Sequence, residues 1–275
     1  MEGGPDDHER PTADAGRALD FSGQGVAVTG GGRGVGRAVT QAFLAAGAEV
    51  VICGRSTPAD GVPTAVSPDG SERAAAFIEA DVREPEQAEA FVVGAAERMG
   101  RLDVLVNNAG GSPYVPAAEA SPRFFASVVA LNLLAPFYCA RAANAILQQG
   151  AGGSIVNIGS VSGIRPSPGT AAYGAAKAGL VSLTQTLAVE WAPKVRVNCV
   201  TSGMVDTGDP DHYGGVDGLA RVAATVPLGR MGTPDDVAGI CLFLASPLAG
   251  YVTGANLVAH GGGEWPAFLR AARGE

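Results

Sequence analysis

At 275 residues, with 47% hydrophobic residues and 40 glycines, the chain is long enough to fold around one large hydrophobic core. This composition excludes an intrinsically disordered protein. The net charge of −8 excludes the basic surface that nucleic-acid binding requires, so we expect no nucleic-acid partner.

The cysteines, the histidines and the N-terminal residues indicate a cytoplasmic protein without a metal site. The three histidines do not combine with cysteines at metal-ligand spacing. No apolar run reaches the ~18 residues of a membrane span. Residues 1–20 are acidic and lack the apolar core of a signal peptide, so we expect a disordered tail there and no membrane contact. Four separated cysteines without C-x-x-C spacing are typical of reduced, mostly buried thiols: Cys53, Cys139, Cys199 and Cys241.

Hydrophobic periodicity predicts alternating strands and helices after this tail. Short apolar strands are expected at 26–28, 49–53, 76–80, 104–106, 154–158, 195–200 and 256–258. Helices are expected at 35–46, 85–99, 122–148, 171–191 and 234–245, with loops at 56–75 and 201–233. Such strands, alternating with helices, predict a parallel sheet covered on both faces. The predicted α/β fold is a single-domain Rossmann fold with a doubly wound, seven-stranded parallel sheet over residues 21–263, followed by a C-terminal tail over 264–275.

A glycine-rich turn lies between the first predicted strand and the first predicted helix. It reads T-G-G-G-R-G-V-G over residues 29–36, a G-x-x-x-G-x-G spacing from its first glycine. At this position a dinucleotide pyrophosphate would meet a helix N-terminus, and glycines would let the backbone approach it closely. We therefore predict cofactor contacts at Gly30, Gly32, Arg33, Gly34, Val35 and Gly36.

The end of the second predicted strand favours NADP(H) over NAD(H). An acidic residue there would bind the ribose 2′-hydroxyl, whereas a basic residue suits a 2′-phosphate. The sequence reads Cys53-Gly54-Arg55, without a carboxylate. Arg33 and Arg55 could hold the phosphate together because guanidinium groups match its geometry. The alternative is that both arginines are simply solvated.

Tyr173 and Lys177 are four residues apart in the predicted helix 171–191 and therefore share one face of it. A phenol has a pKa of about 10, too high for acid–base chemistry at neutral pH. An ammonium one turn away favours the phenolate, so we expect Lys177 to lower the pKa of Tyr173. Alone, a Y-x-x-x-K pattern more often reflects an interfacial tyrosine and a solvated lysine.

The ordered set of motifs resembles the classical short-chain dehydrogenases/reductases over residues 20–263, and is similar to members such as 3-oxoacyl-acyl-carrier-protein reductases. The residues that carry this resemblance are TGGGRGVG at 29–36, Asp81-Val82, NNAG at 107–110, Asn132, Ser160, Tyr173 with Lys177, Val197-Asn198, Gly203 and PLGRMG at 227–232.

The resemblance implies a catalytic group of Asn132, Ser160, Tyr173 and Lys177. Tyr173 would exchange a proton with the substrate oxygen, and Ser160 would hydrogen-bond the same oxygen. Lys177 would lower the pKa of Tyr173 and bind the nicotinamide ribose. The helix backbone at Asn132 would hold a water relay that leads to Lys177.

The resemblance also implies further contacts. Many relatives have Pro-Gly after the sixth strand, where this chain has Ser202-Gly203.

The substrate is expected near a lid-like loop at 204–226, together with Ser112, Pro113, Tyr114, Ser162 and Ile164. A homotetramer or homodimer through helices 122–148 and 172–191 is implied as well. The other expected cofactor contacts are Asp81, Val82, Asn107, Asn108, Ala109, Gly110, Tyr173, Lys177, Gly203, Val205 and Thr207.

The sequence therefore predicts an NADP(H)-dependent oxidoreductase that interconverts a small-molecule ketone or aldehyde and an alcohol by hydride transfer, with Tyr173 as general acid and base. One alternative is an NAD-dependent alcohol dehydrogenase of the same fold. Another is a non-catalytic NADP(H)-binding sensor or structural subunit. The sequence does not distinguish among sterol, sugar, acyl-thioester and polyketide substrates.

Overall fold

A seven-stranded parallel sheet forms the centre of the computed structural model, which describes residues 19–209 and 213–274. The strand order is β5-β2-β1-β6-β7-β8-β9, and every neighbouring pair is parallel. The predicted Rossmann-like α/β fold is therefore confirmed. The strands are β1 (Gly25–Thr29), β2 (Glu49–Gly54), β3 (Thr64–Val66), β4 (Glu72–Ala74), β5 (Ala76–Glu79), β6 (Val104–Asn107), β7 (Gly153–Ser160), β8 (Val195–Ser202) and β9 (Asn256–Ala259).

Helices cover both faces of this sheet. Those in the described residues are α1 (Gly34–Ala45), α2 (Pro85–Met99), α3 (Pro122–Val129), α4 (Ala135–Gln149), α5 (Ala171–Trp191), α6 (Gly215–Ala223), α7 (Pro234–Ala245) and α8 (Ala267–Arg273). Helices α1 and α7 pack on one face, whereas α2, α4 and α5 pack on the other. Val26 and Val28 face α1 while Ala27 faces the opposite layer, so β1 is apolar throughout because both of its faces are buried.

The sheet brings the predicted site residues to one edge. Because the strands are parallel, the carboxyl ends of β1, β6, β7 and β8 lie side by side. These ends carry Thr29, Asn107, Ser160 and Ser202. Ligands of open α/β sheets bind beyond this edge, at the point where the strand order reverses. The reversal here lies between β1 and β6.

A π-helical segment interrupts the predicted helix 122–148. Residues Ala130–Leu134 join α3 to α4 with π geometry, and Asn132 lies at the centre of this segment. By length and composition, Pro122–Gln149 could cross a membrane, whereas no apolar run of the sequence predicted such a span. One side of α4 nevertheless packs against the sheet, with Cys139, Ala140 and Ala143 buried, as in the core helix of a globular domain.

Three regions differ from the sequence predictions. The predicted loop 56–75 contains the antiparallel hairpin of β3 and β4, whose three-residue strands are too short to produce a visible periodicity. The predicted loop 201–233 contains α6, and the predicted C-terminal tail contains α8. Except for residues 19 and 20, the predicted tail over 1–20 lies outside the described residues. His8 and His212 also lie outside them.

Candidate active site

Several glycines of the turn after β1 have no room for a side chain or have a backbone conformation that favours glycine. Gly30 and Gly34 have φ values of 64° and 50°, a region that favours glycine. A Cβ on Gly36 would lie 2.2 Å from the Gly30 carbonyl oxygen, and a Cβ on Gly31 would lie 2.5 Å from Ile52 Cγ2. The turn therefore presents bare backbone at the start of α1.

The N-terminus of α1 has no side-chain cap. Arg33 occupies the capping position in extended geometry, and its side chain accepts no hydrogen bond from the helix. The first N–H groups of α1 and the positive end of its dipole therefore face the glycine turn without an intrahelical partner. Such a site fits an anionic pyrophosphate. The residues present thus suit a dinucleotide.

Hydrogen bonds of Thr29 and Asn108 connect this turn to the segment after β6. The amide of Asn108 donates through Nδ2 to the carbonyls of Thr29 and Gly30, at 3.0 and 3.1 Å. Thr29 Oγ1 in turn accepts from the backbone N–H groups of Asn108 and Ala109, both at 3.0 Å. The NNAG segment therefore holds the glycine turn in place. Ala109 approaches Gly30 closely, since a Cβ on Gly30 would lie 3.1 Å from Ala109 Cα.

The two arginines proposed for a 2′-phosphate are both exposed. Within the described part of the chain, neither guanidinium has a hydrogen-bond or ion-pair partner, although Arg55 lies within electrostatic range of Asp81. Pro58 packs on the glycine turn next to them, because a Cβ on Gly32 would lie 2.5 Å from Pro58 Cγ. The segment after β2 thus borders the same end of the cofactor site.

Asp81, Val82 and Asn107, which were also predicted to contact the adenosine, have different surroundings in the structure. The Asp81 carboxylate accepts hydrogen bonds from Arg83 Nε at 2.9 and 3.0 Å, and these hydrogen bonds are the main reason that its pKa is lowered. Val82 is buried. The Asn107 side chain is buried and donates to Asn157 Oδ1 and to the Pro136 carbonyl. Its cofactor contact therefore stays a prediction that concerns its backbone alone.

Ser160, Tyr173 and Lys177 come together where β7 ends and α5 begins. Ser160 is the last residue of β7, and its side chain hydrogen-bonds Tyr173. The Lys177 ammonium lies 5.6 Å from the centre of the Tyr173 ring and donates to the Ile158 carbonyl at 2.7 Å. Lys177 is only 3% exposed, so its cation is enclosed within the protein.

The pKa of Tyr173 differs from the sequence-based expectation. Burial raises it, and the hydrogen bond from Ser160 opposes that effect only in part. The net direction is therefore upward, and the expectation that Lys177 lowers this pKa stays a prediction. The pKa of Lys177 itself falls to about 8 because burial disfavours the charged ammonium. Tyr173 is therefore protonated at neutral pH, the state that can donate a proton.

The lowered pKa of Lys177 predicts that the free energy of unfolding depends on pH in the alkaline range. Native Lys177 loses its proton near pH 8, whereas the unfolded chain keeps it until about 10.5. Between these values the unfolded state binds more protons, so the contribution of Lys177 to the free energy of unfolding rises with pH. We expect that free energy, relative to Lys177→Met, to rise by up to about 1.4 kcal/mol per pH unit above pH 8.

Urea unfolding of both proteins, without cofactor, between about pH 7 and about pH 10 measures this difference. Subtracting the variant matters because the buried thiols act in the opposite direction. Burial raises their pKa values, so their contribution to stability falls in alkali. A wild-type-to-variant difference that is constant over this range would contradict the assignment.

Asn132 and Lys177 approach each other around Gly110. A Cβ on Gly110 would lie 2.8 Å from Asn132 Oδ1 and 3.3 Å from Lys177 Nζ. The Asn132 side chain is fully buried, accepts from the Gly111 N–H at 2.9 Å and donates to the Gly111 carbonyl at 2.9 Å. Its amide therefore fixes the segment after β6. The π geometry around it alters the regular backbone hydrogen bonding of the helix, as is frequent at functional sites.

The segment after β8 reaches back to the glycine turn. A Cβ on Gly203 would lie 2.7 Å from His260 Cα, so a side chain at Gly203 would not fit. Val205 forms an isolated parallel bridge with Gly232. The methyl group of Thr207 lies over Gly34, since a Cβ on Gly34 would be 3.5 Å from it. Thr207 is therefore placed beside the candidate pyrophosphate site.

Tyr213 was not assigned a role from the sequence. Its ring is half-buried, and its pKa is raised by burial first and then by the nearby Asp206 and Tyr173. Its hydroxyl is thus within electrostatic range of Tyr173. Only its aromatic character within a polar, glycine-rich loop could have indicated this position.

The predicted substrate-side residues form an open surface beside Tyr173. The ring of Tyr114 is 73% exposed and lies on Gly169, where a Cβ would be 2.0 Å from a ring atom. Val115 N–H donates to the Gly169 carbonyl at 2.8 Å. A cavity of about 60 Å³ opens next to this contact, and Ser112, Phe124 and Thr170 are among its lining residues.

A larger cavity of about 330 Å³ lies at the opposite edge of the sheet, among Glu49, Arg73, Arg98 and Met99. It is remote from Tyr173 and from the glycine turn, because Glu49 begins β2 while the candidate site follows the strand ends. We therefore place the active site by its chemistry and not by cavity size. In the described residues no group of three or more His, Cys, Asp or Glu side chains could hold a metal ion.

Comparison with known proteins identifies the family. A family profile described as enoyl-(acyl carrier protein) reductase matches residues 30–264. L-rhamnose 1-dehydrogenase (NAD(P)+) of Azotobacter vinelandii is 37% identical over 246 residues, which cover 86% of this chain and 95% of that protein. The chain belongs to the short-chain dehydrogenase/reductase family. It is thus an oxidoreductase of the kind that acts on alcohol and carbonyl groups, and it takes a nicotinamide cofactor.

Relatives within the short-chain dehydrogenases differ in what they act on. The 3-oxoacyl-[acyl-carrier-protein] reductase of Synechocystis sp. is 35% identical over 239 residues, covering 86% of this chain and 94% of that protein. The ligand-free structure of Thermoplasma acidophilum aldohexose dehydrogenase has a TM-score of 0.78 at 28% identity, covering 89% of this chain and 95% of that one. The family therefore leaves the substrate of this chain open.

Proposed function

We propose that this protein is an NADP(H)-dependent oxidoreductase that interconverts a ketone or aldehyde and an alcohol, with Tyr173 as the general acid and base. The observation that carries the proposal is the convergence of Ser160, Tyr173 and Lys177 at the same sheet edge as the uncapped start of α1. A proton-transfer group and a dinucleotide site on one edge support hydride transfer more directly than cofactor storage.

Each side chain has a separate role in reduction. Tyr173 donates its proton to the carbonyl oxygen, and the hydroxyl of Ser160 stabilises the charge that develops there. Bound NADPH supplies the hydride. In the oxidation direction Tyr173 accepts the alcohol proton, and the nearby Lys177 ammonium stabilises the phenolate by charge.

Lys177 and Asn132 complete the group. The Lys177 ammonium is held by the Ile158 carbonyl, so its position does not depend on side-chain flexibility. Asn132 lies across Gly110 from it and orders the Gly111 backbone. We assign Asn132 a role in returning a proton toward Lys177 through a water held at the π segment. This arrangement suits repeated turnover.

The preference for NADP(H) rests on Arg33 and Arg55, which are exposed next to the cofactor site while the nearby Asp81 carboxylate is engaged by Arg83. We expect the double variant Arg33→Ala/Arg55→Ala to bind NADPH about 10- to 100-fold more weakly, because it loses charge-assisted hydrogen bonds. NADH affinity should change little. Fluorescence titration of both cofactors measures the two dissociation constants.

Arg98→Ala is the matched control, since this exposed arginine lies in the last turn of α2 at the opposite edge of the sheet. It should leave both affinities unchanged. Tighter binding of NADH than NADPH by the wild-type protein would instead favour the NAD-dependent alcohol dehydrogenase.

We also propose a cytoplasmic homotetramer or homodimer that uses the outer faces of α4 and α5. On α5 the Val189 side chain is 81% exposed, and on α4 the Ala145 side chain is exposed and Phe137 is half-buried. Light scattering during size-exclusion chromatography distinguishes these states from a monomer.

A panel of carbonyl compounds and alcohols, followed at the NADPH absorbance, tests the reaction. It should include sugars, acyl thioesters, steroids and diketones. Turnover of at least one carbonyl class supports the proposal. Tight NADPH binding without turnover of any compound, by a folded protein, would favour the cofactor-binding sensor instead.

A further inference from the structure

An ion pair joins two segments that leave the carboxyl edge of the sheet far apart in sequence. Arg165 follows β7 in the loop between Ser160 and Tyr173, and Glu264 follows β9. Arg165 Nη2 donates to Glu264 Oε1 at 2.5 Å, and the two side chains are 36% and 33% exposed. The pair therefore lies beside the candidate substrate cleft, partly shielded from water.

Hydrogen bonds hold Arg165 next to the turn that follows Ser160. Its backbone N–H donates to the Val161 carbonyl at 3.0 Å, within the short turn that follows Ser160. Its Nη1 donates to the Pro166 carbonyl at 3.1 Å, while Nε is buried without a partner in the described residues. Glu264 is consequently the anionic partner that orients this guanidinium.

Glu264 is fastened to the end of the lid. We define the lid end as residues 224–228, directly after α6. The Leu228 N–H donates to the Gly261 carbonyl at 3.0 Å, and the Trp265 N–H donates to the Thr225 carbonyl at 3.1 Å. One backbone hydrogen bond on each side of Glu264 thus joins the C-terminal segment to the lid end.

The contacts connect the cofactor site with the substrate side. The start of the lid lies over the glycine turn through Thr207 and Gly34. The lid end is connected through the C-terminal segment to Arg165, and Arg165 is connected to the turn after Ser160. The ion pair is the link between Arg165 and the C-terminal segment, so removing it detaches the lid end from the turn after Ser160. The packing of Val226 on Gly261 does not depend on the pair.

This pair differs from the other ion pairs in the described part of the chain. Four of the six join residues at most six positions apart. The fifth, between Arg141 and Glu89, joins two helices, but its side chains are 60% and 57% exposed. The Arg165–Glu264 pair thus combines long-range connection with partial burial.

We propose that Arg165 and Glu264 are positioning residues that hold the lid end over the substrate side of the cleft. The substrate-binding part of this inference rests on the proposed function, whereas the effect on the lid does not. A closed lid excludes water and retains the substrate. Loss of the pair should therefore weaken substrate binding more than it slows the chemical step.

The test compares Glu264→Gln, Arg165→Gln and the charge reversal Arg165→Glu/Glu264→Arg with wild type. Hydrogen exchange of residues 213–228 is measured with NADPH bound and without substrate, and KM and kcat are measured for a carbonyl substrate. Each single variant should exchange faster in the lid and show a KM about fivefold higher, with kcat within about twofold. The charge reversal should return both the lid exchange rate and KM most of the way to their wild-type values.

Glu89→Gln is the control, because it removes the exposed ion pair and should change neither lid exchange nor KM. Unchanged lid exchange in both single variants would overturn the proposal, as would a charge reversal no better than its parents. If wild type reduces no carbonyl compound, the proposed function fails. The lid exchange then still decides for or against the ion pair.

Discussion

Tyr173→Phe should reduce carbonyl turnover by about 10²- to 10⁴-fold, the usual contribution of a positioned general acid. The substitution removes the hydroxyl that hydrogen-bonds Ser160 and keeps the ring beside Lys177. The dissociation constant of NADPH should change by less than about threefold, because the glycine turn and Arg33 are untouched. Steady-state kinetics and a fluorescence titration measure the two quantities.

Tyr251→Phe provides the matched control for this loss. Its side chain is 96% exposed, so removal of its hydroxyl should leave kcat and KM unchanged. Wild-type turnover by Tyr173→Phe would show that another group supplies the proton. Tyr213 would then be the first candidate, because it lies within electrostatic range of Tyr173.

Gly36→Ala should abolish detectable NADPH binding and destabilise the fold. A Cβ at this position would lie 2.2 Å from the Gly30 carbonyl oxygen and 2.4 Å from Asn108 Nδ2, so the glycine turn must move. Forced backbone shifts of this kind cost about 1–3 kcal/mol. The free energy of unfolding from urea titration and the NADPH dissociation constant are the measurements.

Gly239→Ala is a control of the same chemistry within α7. A Cβ there meets no atom within 4 Å, so the change should stabilise the helix by about 0.5–1 kcal/mol and leave cofactor affinity unchanged. Wild-type NADPH affinity in Gly36→Ala would mean that the cofactor does not use this turn.

The parts of the site that local spacing determines could be predicted from the sequence. The glycine turn follows from the position of 29–36 between a strand and a helix, and the shared face of Tyr173 and Lys177 follows from helical geometry. The parallel sheet covered on both faces follows from the alternation of short apolar strands with helices. These features need no knowledge of distant contacts.

Other parts depend on contacts between distant residues and could not be predicted. The burial that raises the pKa of Tyr173 comes from the assembled cleft, which a helical spacing does not describe. The neighbouring amides Asn107 and Asn108 look alike in sequence, yet Asn107 bonds to Asn157 and Asn108 to the glycine turn. The Arg165–Glu264 pair spans 99 residues and leaves no local pattern.

The π segment at Ala130–Leu134 separates the backbone geometry at Asn132 from the packing of α4. A π turn holds one residue more than an α-helical turn, so deleting one residue there would give a regular helix. The wide turn takes up the extra residue locally, so Cys139, Ala143 and Leu147 would keep their places in the core after such a deletion. The deletion would remove the altered backbone hydrogen bonding around Asn132. The extra residue is therefore explained by the site at Asn132 and not by the packing of the helix that follows it.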